Sequence, residues 1–185
     1  MNHQEEKELI KALQDIDTKE SAFRELVQQY QERLYWHIRK IVLSHDDADD
    51  VVQNTFIKIF RHIDSFQGNS SLYTWMYRIA TNESLTHIKK EARKRNITDE
   101  EYNQLNLDKL ESDVYFDGDV IQLKLQKAIA SLPERQRMVF NMRYFDEMTY
   151  KEISEILEVS IGGLKSTYHI AFQKIVVFLK DNETF

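Results

Sequence analysis

Four carboxylates stand within five residues at Asp46-Asp47-Ala48-Asp49-Asp50. Asp46, Asp47 and Asp50 satisfy an Asp-Asp-x-x-Asp pattern. Carboxylates at that spacing share one side of a helix, where they could hold Mg²⁺. Three features oppose a metal site. Enzymes built on this pattern are much longer helical bundles around a large apolar cavity. No second acidic motif of the kind occurs elsewhere in the chain. The run also opens an amphipathic stretch, and a helix N-terminus favours carboxylates without any metal. A third reading is a negatively charged docking face, on which Asp49, Asp50, Gln53 and Ile57 flank an apolar stripe and are exposed.

Other catalytic vocabulary is sparse. The histidines are His3, His37, His45, His62, His87 and His169, and no two are four residues apart. None forms the helical pair of a zinc site, and each reads as a surface or boundary residue. With no Cys there is no disulfide, thiolate metal site or thiol nucleophile. There is no Gly-rich phosphate loop and no Gly-x-Ser-x-Gly elbow. No catalytic residue, metal or cofactor is expected.

Nucleic-acid chemistry is better supplied. In Phe66-Gln67-Gly68-Asn69-Ser70-Ser71-Leu72-Tyr73-Thr74-Trp75 a Gly-bearing loop with amides and hydroxyls precedes an aromatic-rich helix. Aromatic and amide groups beside cations suit unstacked bases. Trp75, on the apolar stripe, reads as core, Phe66 reads either as core or as a base contact, and Tyr73 and Tyr77 lie off the stripe and are better placed to stack. Residues 78–95 carry Arg78, Lys89, Lys90, Arg93, Lys94 and Arg95 against Glu83 and Glu91. That basic end suits phosphate, and equally suits a helix C-terminus. Further on, Thr149-Tyr150-Lys151-Glu152 is a capping box. The helix it opens is followed by a short break and a second helix capped by Ser160. Such a pair is a helix-turn-helix pattern, whose second helix would offer Lys165, Ser166, Tyr168 and His169 to a major groove. A plain four-helix domain ending in a hairpin is the other reading.

The elements that must position these groups are helices. The chain has 185 residues, four Gly and one Pro, too few turn residues for a many-stranded sandwich or barrel. Apolar residues step by three and four through Phe23 to Val42, Ala48 to Ile63 and Leu72 to Ile88. Ser44 or Asp46 can cap the second of these helices, and Ser70 or Ser71 the third. Four more helices follow: about 119–130, one opening near Pro133, one opening at Thr149, and one from Ser160. The fold class is all-α. The net charge of −6 is concentrated in residues 96–118, where Lys109 faces seven carboxylates. Such a run self-repels and tends not to pack. Two small helical domains, 1–95 and 119–185, are therefore expected on either side of a flexible acidic linker, 96–118, that lets them sit well apart. The N-terminus has no signal-peptide pattern, and no apolar run approaches a membrane span. A cytoplasmic protein without membrane insertion is expected.

These residues together resemble the extracytoplasmic-function sigma factors of the sigma-70 family. Asp47-Ala48-Asp49-Asp50-Val51-Val52-Gln53-Asn54-Thr55-Phe56 is similar to region 2.2, which docks on the β′ clamp helices of RNA polymerase. Phe66 to Ser71, with Thr74-Trp75-Met76-Tyr77-Arg78-Ile79-Ala80-Thr81-Asn82, is similar to regions 2.3 and 2.4, which melt the −10 element and hold a flipped base. Leu132-Pro133-Glu134-Arg135-Gln136-Arg137, Tyr150-Lys151-Glu152-Ile153-Ser154 and Val159-Ser160-Ile161-Gly162-Gly163-Leu164-Lys165-Ser166 are similar to region 4, which reads the −35 element.

The resemblance implies a promoter-specificity subunit. Its polymerase contacts would be Asp47, Asp49, Asp50, Gln53, Asn54 and Ile57. Its −10 contacts would be Phe66, Gln67, Gly68, Asn69, Ser70 and Asn82 around an extruded base, with Tyr73, Tyr77 and Arg78. Lys89, Lys90 and Arg93 would meet the −10 duplex and its backbone. Its −35 contacts would be Ser160, Gly162, Gly163, Lys165, Ser166, Tyr168 and His169. The implied partners are core RNA polymerase, through the β′ clamp helices and the β flap, duplex and single-stranded promoter DNA, and an anti-sigma factor. Thr167 and Ile170 stand where the family commonly has Arg, and Thr86 where it often has Asp, which predicts a weaker or altered promoter code. The alternative is a stand-alone helix-turn-helix regulator that binds duplex DNA without polymerase.

Overall fold

Apolar side chains that recur every three to four residues leave water together by forming stripes on helices that face one another. The computed structural model describes residues 3–108 and 120–181, and among these it has nine α-helices and no strand. The helices are α1 (His3–Gln14), α2 (Lys19–Val42), α3 (His45–His62), α4 (Leu72–Arg95), α5 (Asp99–Asp108), α6 (Val120–Ala130), α7 (Glu134–Tyr144), α8 (Tyr150–Leu157) and α9 (Ile161–Asp181). A 3-10 turn at Ile63–Ser65 follows α3.

The three long predicted helices are α2, α3 and α4, and they pack on one another. Leu26, Leu34 and Ile38 meet Ala48, Val51 and Ile59, and both sets meet Leu72, Met76, Ala80 and Ile88, all buried. The open choices of cap are resolved. The Ser44 side chain accepts from the Asp47 N–H at 3.3 Å, and the Ser71 side chain from the Thr74 N–H at 3.1 Å. Each satisfies an amide that the helix itself leaves unpaired. At α8 the Thr149–Glu152 capping box is present in both directions.

Two helices lie outside the sequence reading. Helix α1 buries Leu13 and ties the chain beneath α4: a Glu6 carboxylate oxygen accepts from the Leu72 N–H at 2.6 Å. Helix α5 occupies the first half of the segment read as an acidic linker. Its Tyr102 is buried, donates its hydroxyl to Asp47, and lies under the Arg95 guanidinium. Asn106 donates to the Val42 carbonyl at 3.3 Å. The helix packs through one aromatic and buried amides, so it shows little apolar periodicity. Its start does carry a signal: Thr98 and Glu101 form a reciprocal capping box. The rest of the predicted linker, residues 109–119, lies outside the described residues.

The two units are joined rather than separate. One buried cluster runs from the α2–α3–α4 core into Met138, Val139, Met142, Met148, Ile153, Ile156 and Leu164. A second cluster, Ala128, Ile129, Leu132, Phe140, Ala171 and Ile175, is internal to α6, α7 and α9 with the turn between α6 and α7. Polar groups cross the same junction. Asp146, just after α7, accepts from Lys40 at 2.8 Å and lies 2.7 Å from His37 Nδ1, both on α2. His37 reads from sequence as a boundary residue, yet it is 2% exposed because α4 and the Asp146 loop close over it.

Burial pushes the Asp146 carboxyl up, but His37 and then Lys40 more than offset this and hold it below its ordinary value. A carboxyl lowered by folding stabilises the folded state above its unfolded pKa of about 3.9. That contribution is lost as pH falls through the lower folded value. Urea unfolding followed from about pH 6 down to about pH 3 should show an acid-side loss of stability that is smaller in Asp146→Asn. An identical acid limb in both proteins would remove Asp146 from the account.

Candidate functional site

On α3, residues 48, 51, 55 and 59 face the core. The opposite face must then carry positions 50, 53, 54 and 57. Asp50, Gln53, Asn54 and Ile57 are all exposed there, and Asp49 is half-buried at the edge. Ile57 is 48% exposed, an unusual state for a large apolar side chain beside a well-filled core. It borders a groove of about 720 Å³ between α2 and α3. Val27, Tyr35, Val52 and Phe56 line the groove with Ile57, and Gln31, Glu32, Asp49 and Gln53 supply polar groups. Phe56 is itself set edge-on against Phe23, with centroids 6.2 Å apart. An apolar groove with a polar and acidic rim fits a helical partner with apolar and basic side chains.

Asp47 sits differently from the rest of that cluster. Its carboxylate lies 3.1 Å from His87 Nε2 on α4 and accepts from the Tyr102 hydroxyl on α5. Burial raises its pKa, but the adjacent His87 and the hydrogen bond from Tyr102 outweigh this and leave it lowered. Asp47 therefore clamps α3, α4 and α5 together, while its neighbours face solvent.

The loop before α4 is held from behind. Gln14 Nε2 on α1 donates to the carbonyls of Ile63 (3.0 Å) and Phe66 (2.9 Å). Phe66 is buried with its ring tilted on Trp75 at 5.1 Å: Trp75 is at the core edge, as its place on the apolar stripe implied, and Phe66, for which core and base contact both stood open, is part of the core. Gln67, Gly68 and Asn69 are exposed, and Gly68 has φ +72°, a backbone state that other residues adopt at a cost. The result is a short presented loop of amide side chains on a rigid base. Gln14 and Glu6 are the positioning groups that sequence reasoning missed. A single polar residue on a surface helix carries no signal of the carbonyl or amide it reaches.

Along α4 the predicted nucleic-acid residues divide. Lys89, Lys90 and Arg93 are exposed on its C-terminal half. Asn82 is exposed beside a cleft that α7 and α8 line from the other side. Tyr73 and Tyr77 are not free rings. They lie on each other at 4.3 Å, and Tyr77 meets the His37 ring edge-on. Burial pushes the Tyr73 hydroxyl up to about 12, and burial raises Tyr77 further. Arg78 donates to the Glu155 carbonyl at 2.5 Å, in the last turn of α8, where carbonyls lack helical partners.

In the second unit α8 ends at Leu157, Glu158 takes φ 56°, and α9 starts at Ile161. This short turn and the buried Ile153, Ile156 and Leu164 make a helix-turn-helix. A Cβ on Gly163 would come within 3.3 Å of Ser160 Oγ, so a small residue suits the tight entry to α9. The Gly163 N–H donates to Ser160 Oγ at 3.3 Å. Gly162, Lys165, Ser166 and His169 are exposed on the first turns of α9. Tyr168 is instead half-buried, stacked on Phe140 at 5.6 Å. Thr167 bonds back to the Gly163 carbonyl, and Ile170 is 46% exposed.

Comparison with known proteins matches both halves of the chain. The family model for Sigma-70 region 2 matches residues 26–94, and that for Sigma-70, region 4 matches residues 122–175. The ECF RNA polymerase sigma factor SigW of Bacillus subtilis is 30% identical over 171 residues, 88% of this chain and 91% of the relative. The ECF RNA polymerase sigma-E factor of Escherichia coli K12 is 32% identical over 173 residues, 85% of each chain. Among solved structures, the sigma factor RpoE in complex with the anti-sigma factor NepR from Bartonella quintana superposes with a TM-score of 0.68 at 21% identity. It covers 87% of this chain and 98% of the other. CnrH in complex with the cytosolic domain of CnrY gives the same TM-score and identity, over 95% and 98%. These two likenesses are of fold.

The two kinds of aspartate on α3 separate in stability measurements. Asp47→Ala should destabilise the protein by about 1–3 kcal/mol, because it leaves partners on two helices without their acceptor. Asp50→Ala, on the exposed face, should stay within about 0.5 kcal/mol of the parent. Chemical denaturation checks both, and equal effects would count against the clamp.

Proposed function

Because the chain belongs to the extracytoplasmic-function group of the sigma-70 family, we propose that each face described above serves one step of promoter-specific transcription initiation. The protein is a sigma factor: it binds core RNA polymerase and directs initiation by reading and melting the −10 element and binding the −35 element. Its work is DNA recognition, and RNA synthesis stays with the polymerase. Residues 1–95 serve polymerase binding and the −10 element, 96–118 connect, and 119–185 serve the −35 element. The site of action is the cytoplasm.

What carries this reading is the order of the two family matches on a chain that exposes a groove in the first and a helix-turn-helix in the second. The α2–α3 groove receives the β′ clamp helices, with Asp49, Asp50, Gln53, Asn54 and Ile57 at its rim. Asp47 supports them from inside. The Gln67–Asn69 loop, with Ser70 and Asn82 and with the buried Phe66 beneath it, holds an extruded −10 base. Flipping that base costs a few kcal/mol of unstacking, which contacts in the loop must offset. Tyr73, half-buried, borders that surface, Tyr77 and Arg78 support it from inside through His37 and the Glu155 carbonyl, and Lys89, Lys90 and Arg93 hold the adjacent backbone.

The −35 reader is weakly charged. Residues 119–185 carry nine basic and nine acidic side chains. Ser160, Gly162 and Gly163 would approach phosphate through the backbone at the start of α9, and Lys165, Ser166 and His169 through side chains. Tyr168 would contribute its edge. Such a reader binds free DNA poorly and gains from being fixed to polymerase beside a second site, an effective-concentration effect. An anti-sigma factor is the further partner, and by covering these faces it would compete by mass action.

Mixing the protein with bacterial core polymerase should give a one-to-one complex on gel filtration and discrete run-off transcripts from the source genome. Neither complex nor transcripts would favour the stand-alone regulator. Gln53→Ala and Asp50→Ala should each weaken core binding about tenfold, the scale of a contributing interface residue. Unchanged affinity in both would refute the groove assignment. Lys165→Ala should lower initiation only where a −35 element is present, and an equal loss on promoters without one would contradict that role.

A further inference from the structure

Arg137 on α7 is 2% exposed. Its Nη1 donates to the Ala130 carbonyl at 3.3 Å. Its Nε and Nη2 have no hydrogen-bond partner among the described residues. Burial lowers the pKa of this group, and the Glu134 charge restores only part of it. Nε and Nη2 share one edge of the guanidinium plane. That edge is a fork that receives a carboxylate through two parallel hydrogen bonds. A buried cation without such a partner is costly, so a matching anion gains more here than at the surface.

Arg137 lines a cavity of about 210 Å³ between α2, α6 and α7. Trp36, Leu43, Ile129 and Phe145 give it apolar walls. Arg39 and Lys40 border it as well, and among the described residues no Asp or Glu does. Lys40 is already paired with Asp146. One turn along α7, Asn141 lines the same cavity. Its Nδ2 donates to the Lys40 carbonyl at 3.5 Å, and its Oδ1 has no hydrogen-bond partner among the described residues. Residues four apart stand side by side on a helix. An unused donor fork therefore stands beside an unused acceptor, both buried. A second cavity, of about 330 Å³, also touches Arg137, but Glu100 and Glu134 line it and repel an anion.

We propose that the cavity between α2, α6 and α7 is a binding site for a small aromatic acid. The carboxylate sits on the Nε–Nη2 edge of Arg137, the ring lies against Trp36 and Phe145, and a ring hydroxyl donates to Asn141 Oδ1. Size agrees with this class. A cavity of about 150 Å³ holds benzene, so about 210 Å³ admits a ring with two small substituents. The site shares no residue with the groove between α2 and α3, and it does not depend on the promoter reading.

The chain has two Trp, Trp36 and Trp75, so Trp75→Phe identifies the Trp36 indole N–H signal in spectra of the isotope-labelled full-length protein. Titration with meta-hydroxybenzoate should shift that signal saturably, with a Kd of about 1 mM or tighter. Benzoate, which lacks the hydroxyl, should bind about threefold more weakly. Meta-hydroxybenzamide, which lacks the charge, should bind about tenfold more weakly. Asn141→Ala should bring meta-hydroxybenzoate to the benzoate value and leave benzoate unchanged. Gln126→Glu sets a carboxylate on the cavity wall without altering Arg137, and should weaken the acid about tenfold while the rest of the spectrum shows the fold retained. No shift of the Trp36 signal at ten times the expected Kd overturns the site. Equal binding of the amide overturns the anion fork. A Trp36 shift that Gln126→Glu leaves unchanged overturns the placement.

Discussion

A helix packed on several sides has little solvent face for the polar groups of its middle turns, and α4 is in this position. It is packed by α2, α3, α5 and α8. Its solution is to bury small hydroxyl residues that return their proton to their own helix. Thr81 donates to the Tyr77 carbonyl and Ser84 to the Ala80 carbonyl. Each leaves an oxygen free to accept and adds little bulk. Ala80 and Ala92 allow close approach on the other turns. Because α4 can be covered this way, one helix can carry the loop at its N-terminus, the cations at its C-terminus, and a docking face between them.

Carboxylates of one chemical kind do three different jobs here, and surroundings decide which. Asp50 faces water on α3. Asp47, three residues earlier, joins α3 to α4 and α5 through His87 and Tyr102. Asp146 bridges the two units through His37 and Lys40. The two that turn inward have a cation or a hydroxyl donor within bonding distance, which is the condition for keeping a carboxylate charged away from water. The exposed one has the Coulombic reach to steer a basic partner at little cost to the fold.

Two of the proposed recognition surfaces present little side chain: the loop around Gly68 before α4, and Gly162 with Gly163 at the start of α9. Rigid backing makes these usable. Gln14 and Glu6 hold the first from α1. Ser160 and the Phe140–Tyr168 stack hold the second. Aromatic residues that look available in sequence are spent on this backing, which leaves amide side chains, cations and backbone as the direct readers.

The sequence by itself determined the all-α class, seven of the described helices, the caps of α8 and α9, and the order of the family motifs. These follow from local rules: apolar spacing decides which face is buried, and a Ser or Thr before a helix decides where it starts. The exposed faces of Asp50, Gln53, Lys89 and Lys165 were legible for the same reason. Helix α5 was legible in part, since Thr98 and Glu101 spell a capping box, but a segment carrying a net charge of −6 argued against packing and hid it. Only the tertiary structure decided that Asp47 turns inward, that Tyr77 is covered, that His37 is buried, and that the two units share a core. Each depends on partners between 40 and 109 residues away in the chain. A pair at that separation is created by the path of the backbone through space, and periodicity along the chain carries no record of it.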